Sequence, residues 1–586
     1  MKNNFFKMVL ASGLGVLLAS VVFSILSGIM MFLFVISLGT SQEKPIKKNS
    51  VLTIDLSKPI NEREVSTIES LMFNQKTIGL NTILSAIESA TTDKRIKGIY
   101  LKTGMMYTGG WATTQEIRDA LARFKESGKF VYSYSDVYTQ KTYYLASVAD
   151  KVFLNSSGMV EFSGIAAEAI FVKDLLEKLE VKVDLVRPNS NAYKSAGEMY
   201  TMNKMSEANR EQIRTYILSI WNEVLPQMSE SRGISVDSLN MLADNLSAFL
   251  AVDAFKAGLV DVLGFESDVK EQMVEDIDEI SSVSKLRFVN VSDYPIKRKK
   301  KSVENKIAVV YAEGEVQQGK GYDVAVYSHN ISKAIDEAAD DDDIKAIVLR
   351  INSPGGAVTA SEIITNAVRR AKEQKPVIVS MGDLAASAGY EISCYATKIV
   401  AMPTTITGSI GVFGMIPEIG TMLRNKIGIT FDTVNTNLNS SAMSITRPMS
   451  PQARAMMQRN VEDFYQTFIG RVAEGRGLDM AFVDSIARGR VWTGRDALAL
   501  GLVDTLGGID VALSVAASEA GITKYSVKVY PEAPNSVMEM LNMMDEGARA
   551  RVLLPTQYGK YRFFSEIERM CDSDPLQARL PYFINM

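Results

Sequence analysis

The chain has 586 residues, of which 46% are hydrophobic and 23% are charged, a balance that excludes a disordered, collagen-like or disulfide-built protein. The 64 basic and 68 acidic side chains give a formal net charge of -4, so there is no basic surplus to bind nucleic acid. His329 is the single histidine, and Cys394 and Cys571 are the two cysteines. These counts exclude a zinc site built from histidine and cysteine, and they do not report the redox compartment.

The first feature in chain order is a run of 31 uncharged residues from Met8 to Leu38. About twenty apolar residues suffice to cross the hydrocarbon core of a bilayer. We therefore predict a transmembrane anchor within the segment 1–50. A cleaved signal peptide is the alternative, although its apolar region would be only about 7–15 residues long. Basic residues stand on both sides of the run, so the positive-inside rule leaves the orientation open.

Two similar units follow the apolar run. The buried-strand patterns at 95–102 and 343–350 are each followed by a Gly-Gly turn, by a capping box that opens a helix and by a second apolar strand. The segments 254–264 and 497–507 also repeat. The pattern predicts a tandem duplication in which each copy is an α/β unit with mostly parallel strands.

The repeats divide the chain into five predicted parts. The segment 1–50 carries the anchor, 51–266 is the N-terminal repeat, 267–305 is a polar connector, 306–520 is the C-terminal repeat and 521–586 is a C-terminal extension. The connector contains the basic run Lys297–Lys301, which fits a solvated linker better than a contact with anionic lipid. For the Met-rich part of the extension, a helix packed on the core is favoured over contact with lipid.

The two repeats differ at one position where chemistry is expected. Ser387 of the C-terminal repeat is in register with Gln140 of the N-terminal repeat, so only one copy has a nucleophile there. Small residues surround Ser387, and they would allow a substrate backbone to approach closely. Considered alone, a serine in this setting also fits a packing or helix-capping role.

The loop Asn352–Gly356 favours the catalytic interpretation of Ser387. Gly355 and Gly356 can present backbone N–H groups with no side chain in the way, and such donors suit an oxyanion that develops on an attacked carbonyl. The corresponding loop of the N-terminal repeat, 103–111, is longer and bulkier. We therefore predict that the serine and the oxyanion loop lie together in the C-terminal repeat.

A serine nucleophile needs a base, and His329 lies ahead of a helical segment rather than at the end of a strand. Lysine can serve when burial lowers its pKa towards neutrality. Lys194 stands among small and apolar neighbours, whereas the corresponding stretch of the C-terminal repeat, 427–446, contains no lysine. The N-terminal repeat thus keeps a lysine and lacks the serine, and the C-terminal repeat does the reverse. This complementary pattern favours Lys194 as the base over a solvated surface lysine.

Four motifs together resemble the signal peptide peptidase A family, also called protease IV, in its long duplicated form. They are 191–198, 353–362, 382–393 and 407–414. The resemblance implies a crotonase-like, Clp-protease-like α/β fold and a Ser/Lys dyad that cleaves remnant signal peptides. It implies that Ser387 is the nucleophile and Lys194 the general base. The oxyanion loop then falls on Gly355 and Gly356, and a serine that supports the lysine falls on Ser409.

The resemblance also implies an assembly and a location. Members form membrane-anchored homotetramers against the outer face of the bacterial inner membrane, so the repeats would lie on the periplasmic side. Peptides and membrane lipid are the implied partners, and no cofactor or metal is implied. This sequence departs from the family's usual pattern at Asp383 and Ala388, where glycine is common, and both departures could reshape the substrate groove.

Substrate is expected to bind as an added β-strand along that groove. The sequence leaves open whether Lys194 reaches Ser387 of its own chain or of a neighbour. Two other functions also stay open. The same fold supports crotonase-type chemistry on acyl-thioesters, and an inactive membrane scaffold would need no dyad at all.

Overall fold

The computed structural model describes residues 45–64, 77–104, 109–295, 304–321, 324–530 and 576–579, together with Gly15, Ser20, Val22, Phe23 and Leu26. The predicted anchor at 8–38 therefore lies almost wholly outside the described residues. Among the residues that are described, no helix is both long enough and apolar enough to cross a membrane.

The N-terminal repeat alternates strands and helices. Its strands are β1 (Ser50–Asp55), β2 (Ile60–Asn61), β3 (Ile78–Gly79), β4 (Ile96–Lys102), β5 (Phe130–Tyr138), β6 (Lys151–Val160), β7 (Lys182–Val186), β8 (Val262–Leu263) and β9 (Arg287–Asn290). Its helices are α1 (Leu80–Thr92), α2 (Trp111–Lys125), α3 (Gln140–Ala146), α4 (Lys173–Lys178), α5 (Glu198–Thr201), α6 (Glu207–Arg232), α7 (Val236–Asn245), α8 (Ala251–Lys256) and α9 (Glu266–Asp276). Two 3-10 turns lie at Val283–Lys285 and Val291–Asp293.

The C-terminal repeat follows the same plan. Its strands are β10 (Lys306–Glu313), β11 (Val316–Gln317), β12 (Val326–Tyr327), β13 (Ile344–Ser353), β14 (Gly355–Ala357), β15 (Val377–Ala386), β16 (Lys398–Ala401), β17 (Ile406–Gly408), β18 (Phe413–Glu418), β19 (Val491–Thr493), β20 (Thr505–Leu506) and β21 (Ser526–Tyr530). Its helices are α10 (Ser328–Asp340), α11 (Val358–Gln374), α12 (Ala388–Ser393), α13 (Gly420–Met422), α14 (Pro451–Arg476), α15 (Met480–Ile486), α16 (Gly494–Ala499) and α17 (Ile509–Glu519). A π-helical turn spans Leu423–Ile427, and one more strand, β22 (Leu576–Arg579), lies in the extension.

The two main sheets share the order of six strands. In the N-terminal repeat the order is β8-β6-β5-β4-β1-β9, and in the C-terminal repeat the corresponding strands follow the order β20-β16-β15-β13-β10-β21, with each of these neighbouring pairs parallel. The C-terminal sheet has two further strands, β17, which is parallel to β15, and β19, which is antiparallel to β17. The pairing of β1 with β4 and that of β10 with β13 both shift register after the first residue of the strand, at Ser50 and at Lys306. This correspondence bears out the predicted tandem duplication at the level of topology.

The central strands are apolar because both faces of each sheet are covered. On β13, Ile347 and Leu349 belong to the core cluster that includes the buried residues of α10 and α11. Ala346 and Val348 alternate with them and pack with α17 on the other face. The sequence of a strand that is buried on both faces is a continuous hydrophobic run, which is typical of parallel sheets.

The repeats extend beyond the boundaries drawn from the sequence. The strand β9 pairs with β1, and α9 packs Val269 and Met273 against Val51 of the same sheet, although the sequence pattern assigns residues 267–290 to the connector. In the C-terminal repeat, β21 pairs with β10 in the same way, beyond the predicted end at 520. Both strands lie at sheet edges and carry polar residues, so their composition does not assign β9 or β21 to a repeat. The basic run Lys297–Lys301 lies outside the described residues.

A third sheet connects the two repeats, in the order β12-β11-β14-β22-β18-β7. Here β7 of the N-terminal repeat pairs antiparallel with β18 of the C-terminal repeat, from Lys182↔Glu418 to Val186↔Gly414. The segment 188–197 follows β7 in the chain. The pairing of β7 with β18 therefore positions this segment of the N-terminal repeat next to the C-terminal repeat.

Buried charges also join the repeats. The Arg350 guanidinium on β13 is fully buried, with Nε 2.8 Å from Glu62 Oε2 and Nη2 2.8 Å from Glu116 Oε2. Both carboxylates belong to the N-terminal repeat. Leaving one member of such a buried group without its partner is strongly destabilising, so the cluster fixes how the repeats dock.

Candidate active site

Ser387 stands at the turn between β15 and α12. Its backbone has φ 58° and ψ -118°, a conformation that a residue with a side chain rarely adopts. Such strain persists only where the surroundings enforce it and is concentrated at functional sites. The Ser387 N–H donates to the Gly408 carbonyl over 2.8 Å, which helps to hold the turn.

Lys194 lies in the segment between β7 and α5, and its side chain crosses into the C-terminal repeat. Lys194 Nζ is 2.7 Å from Ser387 Oγ, 3.0 Å from the Ser409 carbonyl and 3.0 Å from Ser409 Oγ. The side chain is buried, and burial lowers the pKa of Lys194 well below its usual value of 10.5 because the ammonium is deprived of solvent. The geometry therefore places a readily deprotonated amine against the predicted nucleophile, within one chain.

Ser409 supports the amine from the opposite side. Its backbone has φ 50°, and its N–H donates to the Arg490 carbonyl over 2.6 Å. This conformation turns both oxygens of Ser409 towards Lys194 Nζ. The residue therefore lies where the resemblance predicted a supporting serine.

The segment that carries Lys194 is held by residues that the sequence analysis did not single out. A Cβ atom on Gly489, which has φ 81°, would lie 2.5 Å from Lys194 Cβ, so only glycine fits there. Gln212 Nε2 donates to the Tyr193 carbonyl over 3.0 Å, and the Val491 N–H donates to Gln212 Oε1 over 3.3 Å. Nothing in the local sequence marks Gln212 or Gly489, because their importance depends on contacts between distant segments.

The predicted oxyanion loop follows β13 directly. Gly355 has φ 103° and Gly356 has φ 157°, and a Cβ atom on Gly356 would lie 2.1 Å from the Val316 carbonyl oxygen. The Gly355 N–H already donates to Ser353 Oγ over 3.2 Å. Of the two glycines, Gly356 is thus the better oxyanion donor. The Ala388 N–H is a second candidate, because the first N–H groups of a helix have no helical acceptor.

The equivalent place in the N-terminal repeat is closed. Gln140, at the Ser387 position, has Oε1 accepting from the N–H groups of Ser163 and Gly164 over 3.0 and 2.9 Å. The Gly110 N–H, at the Gly356 position, donates to the Asp383 carboxylate over 2.7 Å. The donor that corresponds to the predicted oxyanion donor therefore already binds an anion supplied by the other repeat.

The remaining reactive side chains lie elsewhere. Cys394 is a buried free thiol whose pKa is raised by burial, and Cys571 lies outside the described residues. His329 is the second residue of α10, a helix that carries neither Lys194 nor Ser387. Within the described part of the chain, no group of three or more histidine, cysteine, aspartate or glutamate side chains could hold a metal ion.

Comparisons with known proteins find matches in both repeats. The profile of Peptidase family S49 matches residues 123–279 and 369–523, one segment in each repeat, and the profile described as Clp protease matches residues 298–407. The chain is 36% identical over 476 residues to Protease 4 of Salmonella typhi, covering 80% of this chain and 76% of that protein. It is 35% identical over 449 residues to Protease 4 of Haemophilus influenzae, covering 74% and 72%.

A third relative is Serine protease SPPA, chloroplastic, of Arabidopsis thaliana, which is 28% identical over 487 residues, covering 81% of this chain and 70% of that protein. These matches confirm the predicted duplication and the Clp-protease-like fold. They also confirm a serine peptidase rather than an acyl-thioester enzyme or an inactive scaffold. The chain belongs to Peptidase family S49.

Proposed function

We propose that this serine peptidase degrades cleaved signal peptides with a dyad formed by Ser387 and Lys194. The observation that carries the proposal is the 2.7 Å distance between Lys194 Nζ and Ser387 Oγ. The two residues belong to different repeats, and the rest of the site is arranged around that contact. The resemblance to the signal peptide peptidase A family supports the substrate class.

The mechanism follows from the positions of the groups. Neutral Lys194 takes the proton of the Ser387 hydroxyl as the oxygen attacks the peptide carbonyl. The N–H groups of Gly356 and Ala388 stabilise the oxyanion that forms. Lys194 then gives the proton to the leaving amine, which departs and leaves an acyl-enzyme. Water, deprotonated by the same amine, hydrolyses the ester and regenerates Ser387.

We also propose that the chain is anchored in the bacterial inner membrane by residues 8–38 and that its repeats lie on the periplasmic side. The uncharged run of 31 residues supports the anchor, because it exceeds the length needed to cross a bilayer. The side of the membrane follows from the family resemblance alone. An anchor of this kind would keep the site close to signal peptides left in the same bilayer.

A homotetramer is the assembly that we propose. Its support is the segment 427–447, which begins at the end of the π-helical turn Leu423–Ile427 and exposes large apolar side chains, with Val434 98% and Leu438 85% exposed. A surface segment that exposes several large apolar side chains is typical of a protein interface, and the others exposed here are Ile427, Ile429, Phe431 and Met443. A second copy of the chain could cover them, as the family resemblance implies.

Replacement of Ser387 by alanine tests the proposed nucleophile. Ser387→Ala should abolish hydrolysis of a signal-peptide substrate and prevent labelling by a fluorophosphonate, while the protein keeps its fold by circular dichroism. Ser393→Ala is the matched control, since Ser393 is a buried serine of the neighbouring helix whose hydroxyl donates only within that helix, to the Gly389 carbonyl. Hydrolysis by Ser387→Ala at more than a small fraction of the original rate would contradict the assignment.

A further inference from the structure

The extension places its own strand in the groove next to the dyad. The strand β22 lies between β14, which carries the oxyanion glycines, and β18. It runs antiparallel to both, with Gly355↔Arg579, Gly356↔Ala578 and Ala357↔Gln577 on one side and Phe413↔Gln577 and Gly414↔Leu576 on the other. This is the geometry expected of a peptide bound by strand addition.

The direction of β22 is that of the acyl half of a substrate. Along β18 the register moves from Gly414 to Phe413 as the tail advances from Leu576 to Gln577. Continuing in that direction leads to Gly411, whose carbonyl oxygen is 3.5 Å from Ser387 Oγ. The chain direction of the tail is therefore that of substrate residues that precede the scissile bond, and Ala578 is paired with Gly356. A substrate carbonyl must reach the level of Gly356 to be attacked.

We propose that residues 576–579 are a built-in pseudosubstrate that competes with peptides for the acyl half of the groove. The inference rests on the proposed function, because it takes the groove between β14 and β18 as the substrate site. Without a strand between them, the facing edges of β14 and β18 would each present unpaired backbone groups to a ligand. One strand satisfies both edges, so the tail and a substrate cannot occupy this position together.

Competition within one chain has a recognisable signature. A tethered ligand acts at an effective concentration on the order of millimolar, independent of enzyme concentration. A peptide that alone binds with a Kd of about 0.1 mM would then bind about tenfold more weakly to the full chain. The tail should raise KM and leave kcat unchanged, because a peptide that has displaced it meets the same dyad.

Binding can be measured without turnover. In a Ser387→Ala background, the affinity for a fluorescent peptide with the sequence of residues 574–580 is measured by anisotropy for the full chain and for a chain ending at Pro575. We expect the shortened chain to bind about tenfold more tightly. A chain ending at Tyr582, which keeps β22, should bind like the full chain. Equal affinity of all three chains would overturn the proposal. This readout does not depend on whether Ser387 is the nucleophile, so it remains informative if the proposed function fails.

A point substitution in the active enzyme gives a second test that does not shorten the chain. Gln577→Pro removes a backbone N–H at the position paired on both sides, and proline is excluded from central strands. We expect KM to fall about tenfold with kcat unchanged, while Gln577→Ala, which keeps the N–H, retains the original KM. Adding the tail peptide should raise the KM of Gln577→Pro again. An unchanged KM in Gln577→Pro would contradict the proposal.

Discussion

Lys194 is the proposed general base, and its amine can accept a proton only while it is neutral, so we expect its charge to control the rate. Burial lowers its pKa well below 10.5, and the rate should therefore rise with pH through a single ionisation below that value. Lys194→Arg should be as inactive as Lys194→Ala, because a guanidinium stays protonated. Pre-steady-state kinetics from pH 5 to 10 on the wild type, with single-point assays of both variants, would check this.

The exposed Lys204 provides the control for this experiment. Lys204→Arg should keep the full rate, because this side chain lies on the surface outside the site. Activity in Lys194→Arg would rule out the proposed general base even if the pH profile had the expected form.

Stability should respond to Lys194 in the opposite sense from activity. The folded state lowers its pKa, so the folded protein binds fewer protons than the unfolded chain, and this destabilises it increasingly as pH falls below 10.5. Lys194→Met fills the space without a charge and should raise Tm, with a gain that grows from pH 10 down to the folded pKa. Scanning calorimetry of both proteins at several pH values measures this difference. A Tm gain independent of pH would show that packing, not the charge, is responsible.

At the scale of secondary-structure elements, Asp383 of β15 caps the start of α2 in the other repeat. Its carboxylate accepts from the Gly110 N–H, the Thr113 N–H and the Thr113 hydroxyl over 2.7, 2.8 and 2.6 Å. Capping residues of this kind contribute about 1 kcal/mol. Because β15 leads directly to Ser387, the contact also fixes the serine relative to the N-terminal repeat.

Replacing Asp383 by glycine, the residue common in the family, should therefore lower both stability and kcat. We expect a loss of about 1 kcal/mol in the free energy of unfolding, together with a several-fold lower kcat at an unchanged pH profile. Asp136→Gly is the control, since this exposed aspartate occupies the same position in the N-terminal repeat. Urea denaturation and steady-state kinetics measure the two effects, and an unchanged kcat would mean that Asp383 stabilises without positioning.

The elements that periodicity reveals were predictable, and those that depend on distant pairing were not. Local patterns predict the apolar strands and capped helices of both repeats. Comparison of the two repeats predicts the pairing of Ser387 with Lys194, because each repeat has only one of these two residues. The pairing of β7 with β18 joins segments that lie more than two hundred residues apart, and no local signal marks it. The same holds for β22, and for Gln212, whose contacts include the Tyr193 carbonyl and the Val491 N–H, both in segments distant from its own helix or repeat.

At the scale of the whole molecule, the interface between the repeats contains an acidic group beside Arg350. Burial and the neighbouring Glu62 raise the pKa of Glu313 to about 8. The folded state therefore binds the proton more tightly than the unfolded chain, so this group's stabilising contribution is full below about 4.5 and is lost as pH rises towards 8. Glu313→Gln should remove that decline, and the Tm difference between variant and wild type should grow from pH 5 to 8. A constant difference would contradict the raised pKa.

The contact between Lys194 and Ser387 lies within one chain, and this predicts the result of mixing inactive chains. Lys194 and Ser387 are in contact without a second subunit. When Ser387→Ala and Lys194→Ala chains are co-assembled, each subunit lacks one of the two groups, so no activity should return. Native mass spectrometry would confirm mixed assembly, and peptide hydrolysis is the readout. Recovered activity would place the dyad across a subunit boundary instead.

The order of the two residues along the chain has a consequence for biosynthesis. Lys194 is translated early, but the strand β18 that receives β7, the serine itself and the edge strand β21 all come from the second half of the chain. An incomplete polypeptide, either still attached to the ribosome or ended by a premature stop codon, therefore contains Lys194 but lacks the Ser387 hydroxyl that Lys194 would deprotonate. We therefore expect the chain to be inactive during its synthesis, since proteolytic activity can arise only after both halves have been completed and have docked.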